Sequence, residues 1–382
     1  MPEAFSGYRA DGRPGVRNHL LVVSVMDNVN GIVRGICGLV RGAVPITHPY
    51  GRAQLGEDRA RHLQVLAGLA SNPNVGAAVI VSLERTHAEE VRDRMRADKP
   101  TAIVVVNEHR STLEAVTAGA ASAARLLVEI SQRRRRAADL GQLYVAVECG
   151  GSDGTSAAVT NPVVGLLTDR LVQAGATVVM SEPSEWIGAE DILAKQAASP
   201  ALGRRIRQIA RWYEDYANQQ GVDLRGVNPS PDNIAGGITT IEEKSLGSIA
   251  KAGHSTVQEV LGLGEAPRKS GLVLMDAPAG AVENLTSMAA SGAQICVFST
   301  GSGNPTANPV LPIVRLSANP AVTWGGTDVD LSLDRLMRGR ESPEHAANAL
   351  YRLVLKVASG RATWSEAFYE GDVAISRCGF SL

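Results

Sequence analysis

Aromatic residues are scarce in this sequence: Phe, Trp and Tyr make up 4% of its 382 residues. Ala, Val, Leu and Gly dominate instead. The 44% apolar share supplies a large core that suits tightly packed α/β layers better than a β-sandwich. Cysteine is scarce too. Cys37, Cys149, Cys296 and Cys378 are scattered and form no CxxC pair, which argues against a disulfide framework and fits a reducing, cytoplasmic setting. Neither sign of charge prevails: 38 Lys+Arg against 39 Asp+Glu leave a formal −1. The whole chain therefore carries no field suited to nucleic acid or an anionic membrane. No apolar run reaches the length of a membrane span, and the opening MPEAFSGYRADGRPG lacks the apolar stretch of a signal peptide. Dinucleotide and P-loop fingerprints are also missing: GGSDG lacks the GxGxxG spacing, and no GK[ST] follows a glycine loop.

What is present is an alternation of short apolar runs and helical patterns. His19–Val25, Val75–Leu83 and Thr101–Asn107 are short, β-branched and bounded by turn residues, so they read as buried strands. Between them GEDRARHLQVLAGLA and STLEAVTAGAASAARLLVEI carry apolar residues at helical spacing. The rhythm restarts with strands at Gln142–Glu148 and Ala176–Glu182 around a helix from about Asn161 to Ala174, and continues with Gly271–Asp276 and Ala293–Thr300. It predicts an α/β protein: two successive Rossmann-like parallel-sheet regions with helices on both faces, and a helical C-terminus from about Leu331. The basic run Gln132–Ala137 reads as a solvated helix end and marks a boundary. An N-terminal α/β domain then covers 1–137, and a C-terminal α/β domain covers 138–382. Gly221–Gly237 reads as a long loop.

Ligands of open parallel sheets bind beyond the carboxyl ends of the strands, and polar residues crowd there. The Gln142–Glu148 run ends in Cys149-Gly150-Gly151-Ser152-Asp153-Gly154, the next in Ser181-Glu182-Pro183, and later ones in Asp276-Ala277-Pro278 and Ser299-Thr300-Gly301-Ser302-Gly303-Asn304. Glycine turns let backbone N–H groups approach an anion. Cys149 is either a small buried hydrophobe or a metal ligand. Asp153 either caps the following helix or binds a hydroxyl or metal. His48, beside Tyr50 and Arg52, is a surface histidine, a ligand or a base. Glu182 and Glu190 flank PSEWIGA. In AGGITTIEEKSLGSIAKAG, Thr239 or Thr240, with Glu242, Glu243 and Lys251, follows helix-end preferences, whereas Lys244 early in the helix is a candidate for a substrate carboxylate.

Five motifs in order, GYRADGRPGVRNH, CGGSDG, SEPSEWIGAED, AGGITTIEEKSLG and STGSGN, resemble the large C-terminal region of the altronate/galactarate dehydratase family. HPYGRAQLGED (His48–Asp58) and GSGNPTANPVLPIVRLSANP (Gly301–Pro320) are more similar to the sulfo-lyase large-subunit branch. The His48–Asp58 segment lacks the cysteine that dehydratases carry there, and Asp191 stands where many members have a histidine. The resemblance implies a metal-dependent lyase that removes water from a sugar acid or related 2-hydroxy acid, with release of sulfite from (2R)-sulfolactate as the alternative. A non-catalytic hydroxy-acid-binding scaffold is the alternative of another class. The implied cofactor is a divalent metal, Fe2+, with Cys149, His48 and Glu182 as ligands. Cys149, His48, Asp153 and Lys244 are the implied catalytic residues, and Arg17, Asn18, Arg52, Ser152, Ser302 and Asn304 the substrate-binding ones. The implied partners are a small β-rich, SAF-like subunit in trans and further copies of the chain.

Overall fold

The computed structural model describes residues 4–8, 12–323, 329–368, 371–379 and 381. Arg9–Asp11 of the opening motif lie outside them. The thirteen strands among these residues are β1 (Ala4–Tyr8), β2 (His19–Ser24), β3 (Ala43–Ile46), β4 (Val75–Ser82), β5 (Thr101–Val105), β6 (Arg135–Asp139), β7 (Tyr144–Cys149), β8 (Thr177–Met180), β9 (Val257–Leu261), β10 (Gly271–Met275), β11 (Ile295–Ser299), β12 (Ile313–Ser317) and β13 (Leu331–Ser332).

Two parallel sheets result, as the β-branched runs demand. The first has the order β3-β2-β4-β5, and the second the order β13-β12-β11-β7-β8-β10-β9. All eight residues of β4 are buried, because helices cover both faces of a parallel sheet and leave no polar alternation. Helices Asn30–Leu39 and Thr112–Ser131 pack together on one side of the first sheet, and Gly56–Ser71 and Arg85–Asp93 on the other. The C-terminus contains the helix Pro343–Ala358 and short turns of helix around it. No helix among the described residues is long and apolar enough to cross a membrane.

The two sheets share one core. A single apolar cluster joins Leu20, Val79 and Ile80 of the first sheet to Val273 and Phe298 of the second through Leu66, Leu69, Met288 and Ala290. Helices Gly56–Ser71 and Ala281–Ser291 lie between the sheets. Gly68 packs so close to the Ala290 carbonyl that a Cβ would collide with it, which makes glycine a packing requirement here. Beyond their C-terminal ends, Asn72 Nδ2 donates to the carbonyls of Ala289 and Ala293, both at 2.7 Å, and Asn74 Nδ2 donates to Gln294 O at 2.8 Å. The amino edges of both sheets therefore meet. At the other ends of the strands, Arg61 acts electrostatically on Asp276, just after β10, so both carboxyl edges open on the same side.

Two local expectations change. The arginine run is not a solvated helix end. Arg135–Asp139 forms β6, antiparallel to β1, and straddles residue 137. Arg135 stacks 4.5 Å from the Tyr8 ring and donates to the carbonyls of Ser6, Val16 and Ala358. Gly221–Gly237 is not a structureless loop either, since it holds the short helices Leu224–Val227 and Pro231–Ala235. Ser230, with Asn233 in reciprocal contact, caps the second of these.

Candidate active site

From β7 in the second sheet, the chain next forms β8 on one side and, later, β11 on the other. A crevice opens where strand order reverses in this way. The loops after β7 and β11 meet there. Gly301 N and Ser302 N donate to Gly151 O at 3.0 and 2.9 Å, and Ser302 Oγ donates to it at 3.2 Å. Gly151 has φ +62°, and a Cβ on it would strike Ser302 Oγ, so only glycine lets the two loops touch. The Ala235–Gly237 turn closes the third side: Gly154 N donates to Gly236 O at 2.8 Å, and Asn233 Nδ2 donates to Ser152 O at 2.9 Å.

Residues 148 and 149 point to opposite faces of β7, as the strand period requires. Cys149 meets Lys251, whose Nζ stands 2.6 Å from its Sγ. Lys251 also pairs with Glu185 at 3.0 Å and donates to Ser248 Oγ at 2.9 Å. Ser248 donates in turn to Glu185, and Ser152 Oγ lies 3.8 Å from the thiol. All of these side chains are buried. Burial works against the charge of Glu185, but Lys251 and then Lys244 outweigh it and hold the carboxyl below its ordinary range. Burial likewise opposes the ammonium of Lys251, yet Cys149 and Glu185 raise its pKa. Burial and then the charge of Glu185 push the Cys149 thiol up.

Glu148, on the other face, accepts a 2.9 Å hydrogen bond from Asn284 Nδ2 through Oε2. Its Oε1 has no donor among the described residues unless it or Glu182 carries a proton. Burial, then the neighbouring charge of Glu182, pushes Glu148 well above its ordinary range. Burial, then Glu185, pushes Glu182 up to about 7. Two carboxyls that close cannot both ionise cheaply, so the pair holds one proton between them. Glu182 is half-buried, whereas Glu148 is fully enclosed. Glu182 also has φ +68°, a conformation that costs a non-glycine residue roughly 1–3 kcal/mol.

The site residues expected from sequence fall into three groups. Cys149, Ser152, Asp153, Glu182, Ser302, Asn304 and Lys244 belong to this crevice. Asp153 acts as the helix cap, with Oδ1 accepting from Ser156 N at 2.8 Å and Thr155 Oγ1 at 2.7 Å, and Oδ2 accepting from Asn319 Nδ2 at 3.0 Å. Asn304 Oδ1 accepts from Thr306 N at 2.9 Å. Lys244 acts electrostatically on Glu182 and Glu185 and donates to Asn228 Oδ1 at 2.9 Å. His48 and Arg52 instead lie beyond the carboxyl edge of the first sheet. The His48 Nε2 lies 2.8 Å from Ser24 O, its ring stands edge-on to His62 with centroids 4.7 Å apart, and burial lowers the pKa of both rings. Arg52 is exposed.

Arg17 and Asn18 precede β2 and so sit at the opposite, amino edge. The Arg17 guanidinium clasps both oxygens of Glu366 at 2.5 and 2.7 Å, and Asn18 donates to Ile130 O at 2.8 Å. Lys251, Glu185, Ser248 and Glu148 were not singled out from sequence as site residues. The one available signal was Glu148, a carboxylate inside an otherwise apolar strand.

The donor chemistry does not fit a metal centre at Cys149, His48 and Glu182. Among the described residues no group of three or more His, Cys, Asp and Glu stands arranged to hold a metal ion. The Cys149 sulfur faces the Lys251 ammonium, and the nearest ring to His48 is His62.

Comparison with known proteins agrees with this architecture. Residues 7–131 match the family described as D-galactarate dehydratase/Altronate hydrolase, second domain. Residues 140–381 match D-galactarate/Altronate dehydratase, C-terminal. The (2R)-sulfolactate sulfo-lyase subunit beta of Chromohalobacter salexigens is 35% identical over 98% of this chain and 97% of its own length. The altronate dehydratase of Bacillus subtilis is 31% identical over 99% of this chain and 78% of its own length. The galactarate dehydratase (L-threo-forming) of Escherichia coli is 31% identical over 94% and 73%. With both family segments matched in order across most of its length, the chain belongs to the D-galactarate/altronate dehydratase family and is a lyase.

Proposed function

We propose that this lyase eliminates water from a small polyhydroxylated 2-hydroxy acid bound in the crevice after β7 and β11. The observation that carries this reading is the Glu148–Glu182 pair, with one member enclosed and the other half-buried and poised at about 7. Elimination of a hydroxyl requires a proton to leave one carbon and another to reach the departing oxygen. A carboxyl poised near neutral pH does this work well at either step. Glu182 is the member that reaches the crevice, so it touches the substrate, while Glu148 and Asn284 hold its proton balance. Lys244 receives the substrate carboxylate, and its ammonium favours the negative charge developing on that carboxylate. The hydroxyl and amide side chains of Ser152, Ser302, Asn304 and Asn319 match the several hydroxyls of a sugar acid.

A second reading has sulfite as the leaving group. It rests on the likeness to the sulfo-lyase subunit beta over nearly the whole of both chains. That relative is named as a subunit, and we extend to this chain a partner that completes the crevice. Water exclusion by such a partner would strengthen each charge interaction in the site. A panel of aldonic and aldaric acids together with sulfolactate, followed by NMR, separates the readings. A 2-keto-3-deoxy acid marks loss of water, and pyruvate with free sulfite marks the alternative. A pure binding protein would leave every acid intact.

A further inference from the structure

The opening motif supplies Arg17 and Asn18 to structural contacts that use their polar groups fully, whereas its Arg13 stands 5.2 Å from the Tyr144 ring and leaves one guanidinium nitrogen without an acceptor among the described residues. Arg13 lies where the amino edges of the two sheets meet, on the side opposite the crevice. A cavity of about 190 Å³ opens there, and its lining includes Arg13, Arg96 and Lys99 from the first part of the chain and Tyr144, Ser291 and Gly292 from the second. We propose that this cavity binds a small anion through a phosphate or carboxylate group, at a site separate from the lyase centre.

Three cationic side chains converge on neutral partners. Lys99 Nζ donates to Val75 O at 2.6 Å and to Asn72 O. Arg96 donates to Gly264 O at 3.1 Å and to Ala290 O. These contacts lie near the C-terminal ends of helices Gly56–Ser71 and Ala281–Ser291, each of which carries roughly half a negative charge. Those partial charges offset about one of the three cations. Arg13 has no such partner: Nη2 donates to Thr177 Oγ1 at 3.1 Å, and Nη1 is buried with no acceptor among the described residues.

No carboxylate among the described residues pairs with any of the three. Glu259 acts electrostatically on Tyr144, but its Oε1 already accepts from the backbone N–H groups of Arg268 and Lys269 at 2.8 and 2.9 Å. The Tyr144 hydroxyl is engaged with Ser291 Oγ at 2.9 Å. The charge excess is also felt by Lys99, whose amine is held down to about 7 by burial and then by Arg133 and Arg96. A planar guanidinium with an Nη1 that lacks an acceptor among the described residues, backed by Arg96 and by a Lys99 amine that a bound anion would charge, suits the paired oxygens of a phosphate or carboxylate. Because its walls come from both parts of the chain, the bound anion would also tie them together.

Isothermal titration of the full chain with inorganic phosphate and, separately, with succinate, a dicarboxylate without the hydroxyls of the proposed substrates, tests this site and its ligand chemistry. We expect one of the two to bind at a single site, and the tighter one identifies the group preferred. The affinity should fall about tenfold or more in Arg13→Gln, as loss of a charge-assisted hydrogen bond implies, and should be unchanged in Lys244→Gln at the crevice. Arg13→Lys keeps the charge but not the fork, and it should also weaken binding in a protein whose circular dichroism matches wild type. It decides the matter if Arg13→Gln fails to fold. Absence of binding by both anions in the millimolar range would overturn the proposal. So would equal affinity in wild type and the folded Arg13 variant, or a loss confined to Lys244→Gln.

Discussion

Replacing Glu182 by Gln isolates the proton that the carboxyl pair is inferred to share. In the folded protein the Glu182 carboxyl stands at about 7, against an ordinary value of 4.5. A group whose folded pKa is raised contributes stability that is fully present below the unfolded value and is lost as pH rises through the folded one. The window is therefore pH 4.5 to about 7. The difference between the two values corresponds to about 3 kcal/mol at most, and it belongs to the pair rather than to Glu182 alone. Gln mimics the protonated carboxyl and cannot ionise. Urea unfolding of wild type and Glu182→Gln between pH 4.5 and 8 should show the variant gaining on wild type by about 1–3 kcal/mol across that window. The left-handed backbone is unchanged by the substitution, so its strain cancels. A difference curve flat to within about 0.5 kcal/mol would refute the shared proton. The same titration should appear in kcat/KM as a limb near 7 that the variant lacks.

Three further outcomes follow from the contacts described. Lys251→Met leaves Glu185 buried without its cation and should cost about 3–5 kcal/mol in urea unfolding. Most of that loss should be recovered in Lys251→Met/Glu185→Gln. Arg17→Ala breaks the clasp on Glu366 and should lower stability by about 1–3 kcal/mol while leaving KM unchanged. A rise in KM with unchanged stability would instead place Arg17 at the substrate. Gly68→Ala forces a methyl against the Ala290 carbonyl and should lower the melting temperature, with a cost of about 1–3 kcal/mol.

The sheets were legible where strands were β-branched and short. β2, β4, β5, β7, β8, β10 and β11 all stand within a few residues of the runs that predicted them. β9 was missed because its VQEVL carries Gln258 and Glu259 in a half-buried edge strand, and β6 because arginines mask its pairing with β1. The crevice was legible through one rule: polar residues following a parallel strand lie at its carboxyl end. The rule located Cys149, Ser152, Glu182 and Ser302. The same geometry carries Arg17 and Asn18 away, because they precede β2 rather than follow a strand. Lys251 follows the preferences of a helix end, so its pairing with Cys149 across 102 positions left no local trace. The Glu148–Glu182 pair likewise depends on β7 lying beside β8, a contact of the fold rather than of the chain.

Turnover in D2O tests the proposed elimination most directly. Purified wild type and Glu182→Gln are incubated at pD near 7 with the aldonic and aldaric acids, and the products are read by proton NMR. We expect wild type to form a 2-keto-3-deoxy acid carrying solvent deuterium at C3, and Glu182→Gln to form it at least a hundredfold more slowly, as loss of a general acid–base group implies. Equal rates in the two proteins would contradict the role given to Glu182, and no product from any acid would contradict the proposed elimination of water.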